Sequence, residues 1–135
     1  MLLKSAFSDL NLFAVLVAGI VHIAGGLIWF QPKIFGSAWA KLTGKDLTPA
    51  LKWVPAGIIG HLLMALALAL IVKLSGAQSA FEGAIIGIIT WAGFIVPLEI
   101  GELIWEKIPF KLFMIRVGNQ LVGLSLAGII LAVWR

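Results

Sequence analysis

Several side chains that can donate, accept or carry a proton stand inside long apolar segments of this sequence. They are His22, His61, Glu99, Glu102, Arg116 and Asn119. An ionisable side chain inside a membrane-spanning helix is costly, so it usually marks a functional site or pairs with another such side chain. Which of the two applies depends on how the chain brings these residues together.

The acids are spaced so that they share one helix face. Glu99, Glu102 and Glu106 follow the i, i+3, i+7 pattern, which aligns side chains along one side of a helix. Folding this helix back on the next one predicts a structural ion pair between Glu102 and Arg116, with Glu106 at the membrane surface. Glu99 then lies opposite Asn119 without a charge partner, which makes these two residues candidates for binding an ion or ligand and Glu99 a candidate proton carrier.

His22 and His61 each stand alone in an apolar segment. Such a histidine most often forms a hydrogen bond between helices. Their similar depth on adjacent helices also allows a ligand site, in which they bind zinc or iron together with Glu99, or ligate a haem from both sides. Neither histidine lies in a recognised metal-binding motif. We therefore predict no cofactor and keep zinc, iron and haem as alternatives.

The segments that carry these residues are those of a membrane protein. The chain has 135 residues, of which 61% are hydrophobic and 12% charged, and its mean hydropathy is +1.11, whereas soluble domains have about 45–50% apolar and about 25% charged residues. Four segments, near 11–30, 54–72, 82–105 and 113–134, approach or reach the roughly 20 residues that cross a bilayer. The sequence predicts one all-α domain over 1–135, an integral membrane four-helix bundle of up-down topology.

The connection between the first two spans has a pattern of its own. Phe35, Trp39 and Leu42 recur at helical spacing in the segment 33–52, which predicts a short helix lying in the membrane interface. In the third span, Pro97 lacks the N–H that a helix needs, so we expect a kink there.

The charges indicate an orientation. Short connections place the segment 33–52 and the turn 107–111 on the same membrane surface, which we call face B. Face B collects Lys33, Lys41, Lys45, Lys52, Lys107 and Lys111, and the opposite surface has Lys4, Lys73 and Arg135. The positive-inside rule then predicts that face B is cytoplasmic and both termini are outside. An aromatic belt is expected at face B, formed by Trp29, Trp39, Trp53 and Trp105.

Depth along the helices connects the polar residues. The helical rise of about 1.5 Å per residue places all of those named at the outset between about 5 and about 15 Å from face B, in one half of the bilayer. Helix contacts are expected at small residues four apart, Gly83 with Gly87 and Gly123 with Ala127.

Several function classes are disfavoured. The chain has no cysteine, which excludes disulfides, thiolate metal sites and cysteine nucleophiles. It has no GxSxG, HExxH or phosphate-binding glycine loop, so the sequence leans against an enzyme. The lysines are scattered near helix ends, which fits lipid headgroups and excludes nucleic acid as a partner.

The landmarks of this chain resemble those of a known family. The pattern NLFAVLVAGIVHIAGGLIWFQPKIFGSAW from residue 11, the run Trp91-Ala92-Gly93-Phe94, the pair Pro109-Phe110 and the ending GIILAVWR are similar to DUF1761, a family of small bacterial and archaeal membrane proteins. The resemblance implies four membrane helices in the cytoplasmic membrane of a bacterium or archaeon. It implies no activity, ligand or catalytic residue. The chain departs from the pattern in having Phe30 where a tyrosine is expected and Arg116 where an asparagine is expected.

These observations support three hypotheses. The first is a polar pocket in one half of the bilayer that binds or passes a small molecule, lipid or cation, in a homo-oligomer, because transport by so short a chain would require a second copy. The second is an accessory or scaffolding subunit of a larger membrane complex. The third is a membrane-embedded metal or haem protein.

Overall fold

A computed structural model describes residues 2–134, with the side chains of all but residues 2, 3 and 6. Arg135, counted above among the charges opposite face B, lies outside the described residues. The elements are α1 (Leu2–Ser8), α2 (Leu12–Trp29), α3 (Ser37–Thr43), α4 (Val54–Ser75), α5 (Ala80–Glu106) and α6 (Phe110–Val133). A π-helical turn, Pro32–Gly36, precedes α3, and a 3-10 turn, Leu51–Trp53, precedes α4.

The all-helical membrane architecture is confirmed. Four helices, α2, α4, α5 and α6, are long and apolar enough to cross a bilayer, and α3 lies between the first two spans. Local signals set where the spans start. Asn11 caps α2 by accepting a hydrogen bond from the Ala14 N–H at 3.0 Å, and Ser79 with Glu82 forms a capping box at the start of α5. Both caps satisfy N–H groups that have no partner within the helix.

The predicted kink at Pro97 appears as a change of helix type. α5 contains a π-helical turn, Trp91–Ile95, directly before the α-helical segment Val96–Gly101 that holds Pro97, and a second π-helical turn, Glu102–Glu106, at its end. Proline has no N–H to donate and its ring crowds the preceding turn, so a wider turn relieves both problems.

α6 is the central helix, because it packs against each of the other three spans and makes the most extensive contacts with them. Its contact with α5 is backbone to backbone. A Cβ atom at Gly83 would collide with the carbonyl group of Gly128, and one at Gly87 with the carbonyl group of Leu124. These glycines therefore let the two helices approach more closely than larger side chains would allow.

The two halves of the bundle are packed differently. The apolar core lies in the half away from face B, where α2, α4 and α6 meet; it includes Ala14, Ala18, Ala65, Leu68, Ala69, Leu124 and Ala127. In the face-B half, every residue from 51 to 60 is exposed, so the beginning of α4 packs against little of the chain. The polar residues are in this more open half.

Candidate functional site

Arg116 joins two acids of the neighbouring helix. Its Nη1 atom lies 3.5 Å from Glu99 Oε2 and 3.5 Å from Glu102 Oε2. The acids are one helical turn apart on α5, so a single guanidinium on α6 reaches both. The side chains of Arg116, Glu99 and Glu102 are 34%, 24% and 44% exposed, which puts the cluster at the edge of the bundle and not in its core.

Glu99 is therefore not the unpaired acid that counting depths along the helices predicts. That count uses Cα positions, and the Arg116 side chain is long enough to reach one turn deeper. Glu102 also lies at ion-pair distance from Arg116. Glu99 shares its counter-ion with a second carboxylate, and this arrangement does not favour its role as a lone proton carrier.

Asn119 lies against α2 and forms no hydrogen bond with Glu99. The position of a Cβ atom on Gly26 would be 3.7 Å from Asn119 Oδ1 and 3.8 Å from Nδ2. Asn119 is half-buried, and its amide forms no hydrogen bond with any residue in the part of the chain that the structure describes. A polar amide at membrane depth without a partner is costly.

The two histidines are in contact with each other, and His22 also contacts a third helix. The ring of His22 on α2 lies edge to face with that of His61 on α4, with centroids 4.9 Å apart and planes at 88°. His22 is 1% exposed, and its Nε2 donates to Gln120 Oε1 on α6 at 3.0 Å. His61 Nδ1 donates to the Gly57 carbonyl of its own helix at 2.8 Å. The contacts of this cluster link three spans, α2, α4 and α6.

Glycine at position 123 makes room for this cluster. A Cβ atom there would overlap the ring of His22. The sequence pattern assigned Gly123 to a contact between helix backbones, but here it faces an imidazole. The spacing of small residues identifies a close approach, yet it does not show whether a backbone or a ring approaches.

Two tryptophans donate hydrogen bonds to the backbone of α6 at the residues on either side of Arg116. Trp29 Nε1 donates to the Ile115 carbonyl at 3.1 Å, and Trp91 Nε1 donates to the Val117 carbonyl at 2.7 Å. Trp29 is half-buried, whereas the predicted aromatic belt made it an interfacial anchor; its indole N–H is bonded to protein. Trp53 and Trp105 remain 65% and 81% exposed at face B, as the belt requires.

A polar cavity of about 480 Å³ opens on face B between the loop after α3 and the turn that joins α5 to α6. Its charged lining consists of Lys45, Glu102, Glu106, Lys107 and Arg116. Arg116 and Glu102 thus belong both to the ion cluster and to the cavity wall. The volume lies within the range of about 300–1,000 Å³ that is usual for small-molecule sites.

Lys107 takes an unusual backbone conformation at this cavity. Its φ of 52° and ψ of 37° are left-handed, at the residue that ends α5. Glycine usually occupies such a position because a side chain there is strained by about 1–2 kcal/mol. Among the described residues, Lys107 is the one non-glycine with a positive φ.

Comparison with known families agrees with the resemblance seen in the sequence. The family model for a protein of unknown function, DUF1761, matches residues 13–132. The chain belongs to the DUF1761 family. Comparison with curated proteins and with solved structures gave no match.

The metal and haem alternatives can be tested against the geometry of this DUF1761 chain. Within residues 2–134 no three His, Asp or Glu side chains lie close enough to hold a metal ion together, so His22, His61 and Glu99 are not assembled as a ligand set. The histidine rings are in direct contact, which leaves no space between them for the macrocycle of a haem. The described arrangement fits neither group.

The sequence did not predict two groups of residues in the candidate site of this chain. Gln120, the hydrogen-bond partner of His22, directly follows Asn119 and lies one helical turn after Arg116. This spacing puts Gln120 on the same face of α6 as Arg116 and so indicates that it belongs with the other polar residues. Thr43, the last residue of α3, and Lys45, in the loop that follows, line the cavity, and no periodic pattern predicts which residues at a helix end or in a loop face a distant turn.

Proposed function

We propose that this DUF1761 protein binds a small molecule, lipid headgroup or cation in the polar cavity on face B, and that face B is the cytoplasmic side of a bacterial or archaeal cell membrane. The observation that supports this most is the mixed-charge lining of the cavity, with Arg116 held in its wall by two acids. Charged side chains of both signs are thereby gathered around one open cavity at the membrane surface.

The conformation of Lys107 gives independent support. A left-handed lysine ends α5 where glycine would be free of strain. Strained residues are concentrated at functional sites, where the side chain has a use that offsets its cost. The Lys107 side chain lines the cavity, so binding is a use of this kind.

Binding is better supported than passage through the membrane by a single chain. Polar groups extend inward from the cavity through Arg116, Asn119 and Gln120 to His22. Beyond His22 the described bundle is a close-packed apolar core of small residues. A route across the whole bilayer would therefore need a second copy of the chain, as expected for so small a protein.

The proposal predicts saturable stabilisation by a ligand. The purified protein in mild detergent is melted, with fluorescence of its six tryptophans as the signal, against anionic lipids, zwitterionic lipids, divalent cations and small polar solutes. One ligand class should raise the melting temperature, since a ligand at 100 times its Kd stabilises a protein by about 2.7 kcal/mol.

Two variants and a control place this effect at the cavity. Lys45→Gln removes a lining charge, and Lys107→Gly removes another while relieving the left-handed strain. Lys107→Gly should melt at or above the wild-type temperature without ligand, yet gain less from the ligand. Lys41→Gln, an exposed lysine of α3 outside the lining, should respond like wild type. Equal ligand responses in all four proteins would refute the proposal.

An accessory role in a larger membrane complex is a second candidate, favoured by the exposed first half of α4. Gly57 and Gly60 have no atom within 4 Å of where a Cβ would be, and small residues on an open helix face allow another helix to approach closely. A second copy of the chain, forming a homo-oligomer, could use the same face. Gly60→Leu should then abolish a complex seen by native mass spectrometry and leave the melting temperature of the single chain unchanged.

A further inference from the structure

The charges that line the face-B cavity are of both signs, and only some of them are paired with one another. Within residues 2–134 the salt bridges closer than 4.0 Å are those of Arg116 with Glu99 and Glu102. The lining groups Lys45, Lys107 and Glu106 form none. These three exposed side chains, two positive and one negative, therefore line the same cavity without an ion-pair partner among the described residues.

The basic residues of the lining have N–H donors available for an anion. The guanidinium of Arg116 makes one hydrogen bond, from Nη1 to Glu99 Oε2 at 3.5 Å, whereas it carries five N–H donors. This planar group suits phosphate and carboxylate, which it can bind through two parallel hydrogen bonds. The ammonium groups of Lys45 and Lys107 lie in the same lining and add positive charge.

The lining also contains an acid that forms no salt bridge within residues 2–134. Glu106 is exposed and lies one turn beyond Glu102 on α5, at the mouth of the cavity. A primary ammonium group is the natural partner for such a carboxylate, because it supplies three N–H donors with a full positive charge. The second carboxylate of the lining, Glu102, is already paired with Arg116.

We infer that the cavity binds a zwitterion, a molecule in which an anionic group and a primary ammonium group are joined by a short linker. The anion lies against Arg116, Lys45 and Lys107, and the ammonium lies against Glu106. This inference rests on the proposed function, since it names the ligand class of the same cavity. A ligand that carries charges of both signs would find a partner for each of them in this lining.

Two sources could supply this chemistry. One is the headgroup of phosphatidylethanolamine, which matches the position of the cavity at the level of the exposed Trp53 and Trp105. The other is a water-soluble amino phosphate or amino acid that enters from the face-B side. Phosphatidylcholine has the same net charge as phosphatidylethanolamine, but its quaternary ammonium has no N–H to donate to Glu106, so it serves as a matched probe.

The test is a lipid competition followed by native mass spectrometry. The purified full chain is given equal amounts of phosphatidylethanolamine, phosphatidylcholine and phosphatidylglycerol, and the lipid retained is identified. In a second arm, protein in phosphatidylcholine nanodiscs is melted with and without phosphoethanolamine. We expect about a fivefold preference for the primary ammonium lipid over each of the others, or stabilisation by phosphoethanolamine, which would assign the soluble source.

Variants separate the two ends of the ligand. Glu106→Gln should reduce the preference over phosphatidylcholine and phosphatidylglycerol to about onefold while phosphatidylglycerol still binds. Lys45→Gln should weaken all phosphate-bearing ligands by a similar factor, and Lys41→Gln should change nothing.

The outcomes distinguish this inference from the proposed function. Saturable binding of phosphatidylglycerol that equals or exceeds that of phosphatidylethanolamine and is unaffected by Glu106→Gln would overturn the zwitterion and leave a binding cavity. Absence of saturable binding by any lipid and by phosphoethanolamine, with Lys45→Gln and Lys107→Gly indistinguishable from wild type, would overturn both.

Discussion

At the scale of single residues, the contact between His22 and Gln120 is the polar interaction that lies deepest in the bundle. Gln120→Ala leaves the buried Nε2–H of His22 without its acceptor, and hydrogen bonds between membrane helices contribute about 0.6 kcal/mol on average and up to about 1.7. We expect a loss of about 1 kcal/mol in the free energy of unfolding, measured by denaturation in detergent. Gln31→Ala, which removes an exposed side-chain hydrogen bond, is the control and should cost less; an equal cost would contradict this role.

Glu99 and Glu102 should each be able to serve as the counter-ion of Arg116 when the other is removed. Glu99→Gln and Glu102→Gln each leave Arg116 with one carboxylate at 3.5 Å, so each single change should cost under about 1 kcal/mol, as partly exposed ion pairs do. The double variant leaves the guanidinium unpaired within the membrane and should cost more than the sum of the two. A double-mutant cycle measures this coupling, and strict additivity would show that the two acids act independently.

The residue types in the sequence indicated that a charged site exists, but they did not identify which residues contact each other in it. An arginine and two acids at compatible depths had to lie near each other, because unpaired charges are costly in a bilayer. The depth count could not tell that Arg116 reaches Glu99 as well, nor that Asn119 faces Gly26, since the reach and rotation of side chains depend on packing between helices.

At the scale of helices, the contact between α5 and α6 depends on glycines of α5. Gly87→Ala would place a methyl group against the Leu124 carbonyl and within 2.9 Å of the Ser125 Cα atom, so we expect a cost of about 2 kcal/mol from overpacking. Gly93→Ala on the same helix meets no atom within 4 Å and should be neutral or slightly stabilising. Thermal unfolding of both variants checks the difference, and similar melting temperatures would argue against this packing.

Helix number and order followed from hydropathy alone, since only long apolar segments cross a bilayer. Local changes of backbone conformation within a helix could not be predicted from hydropathy. Pro97 predicted a kink, whereas the structure has a π-helical turn before it, at Trp91–Ile95, and a second one after it, at Glu102–Glu106. Trp91, the first residue of the turn before Pro97, donates a hydrogen bond to the Val117 carbonyl. No spacing rule suggests this contact.

At the scale of the whole molecule, the predicted orientation can be measured directly because the described chain has no cysteine. Gln78→Cys, in the loop between α4 and α5, should react with a membrane-impermeant maleimide in intact cells. Lys45→Cys, in the face-B loop, should react only after the cells are permeabilised. The reverse pattern would place face B outside and, with it, the cavity on the external surface.

The molecule as a whole combines a close-packed half, with a core of buried apolar residues, and a more open half that holds the charges and the cavity. The most direct measurement of its central property uses a photocrosslinking amino acid in place of Leu42, which lines the cavity, and in place of Phe94, which is 64% exposed on a membrane-spanning helix. We predict one dominant class of adduct at position 42, identified by mass spectrometry, and a mixture matching the bulk membrane at position 94. The same mixture at both positions would contradict a binding cavity on face B.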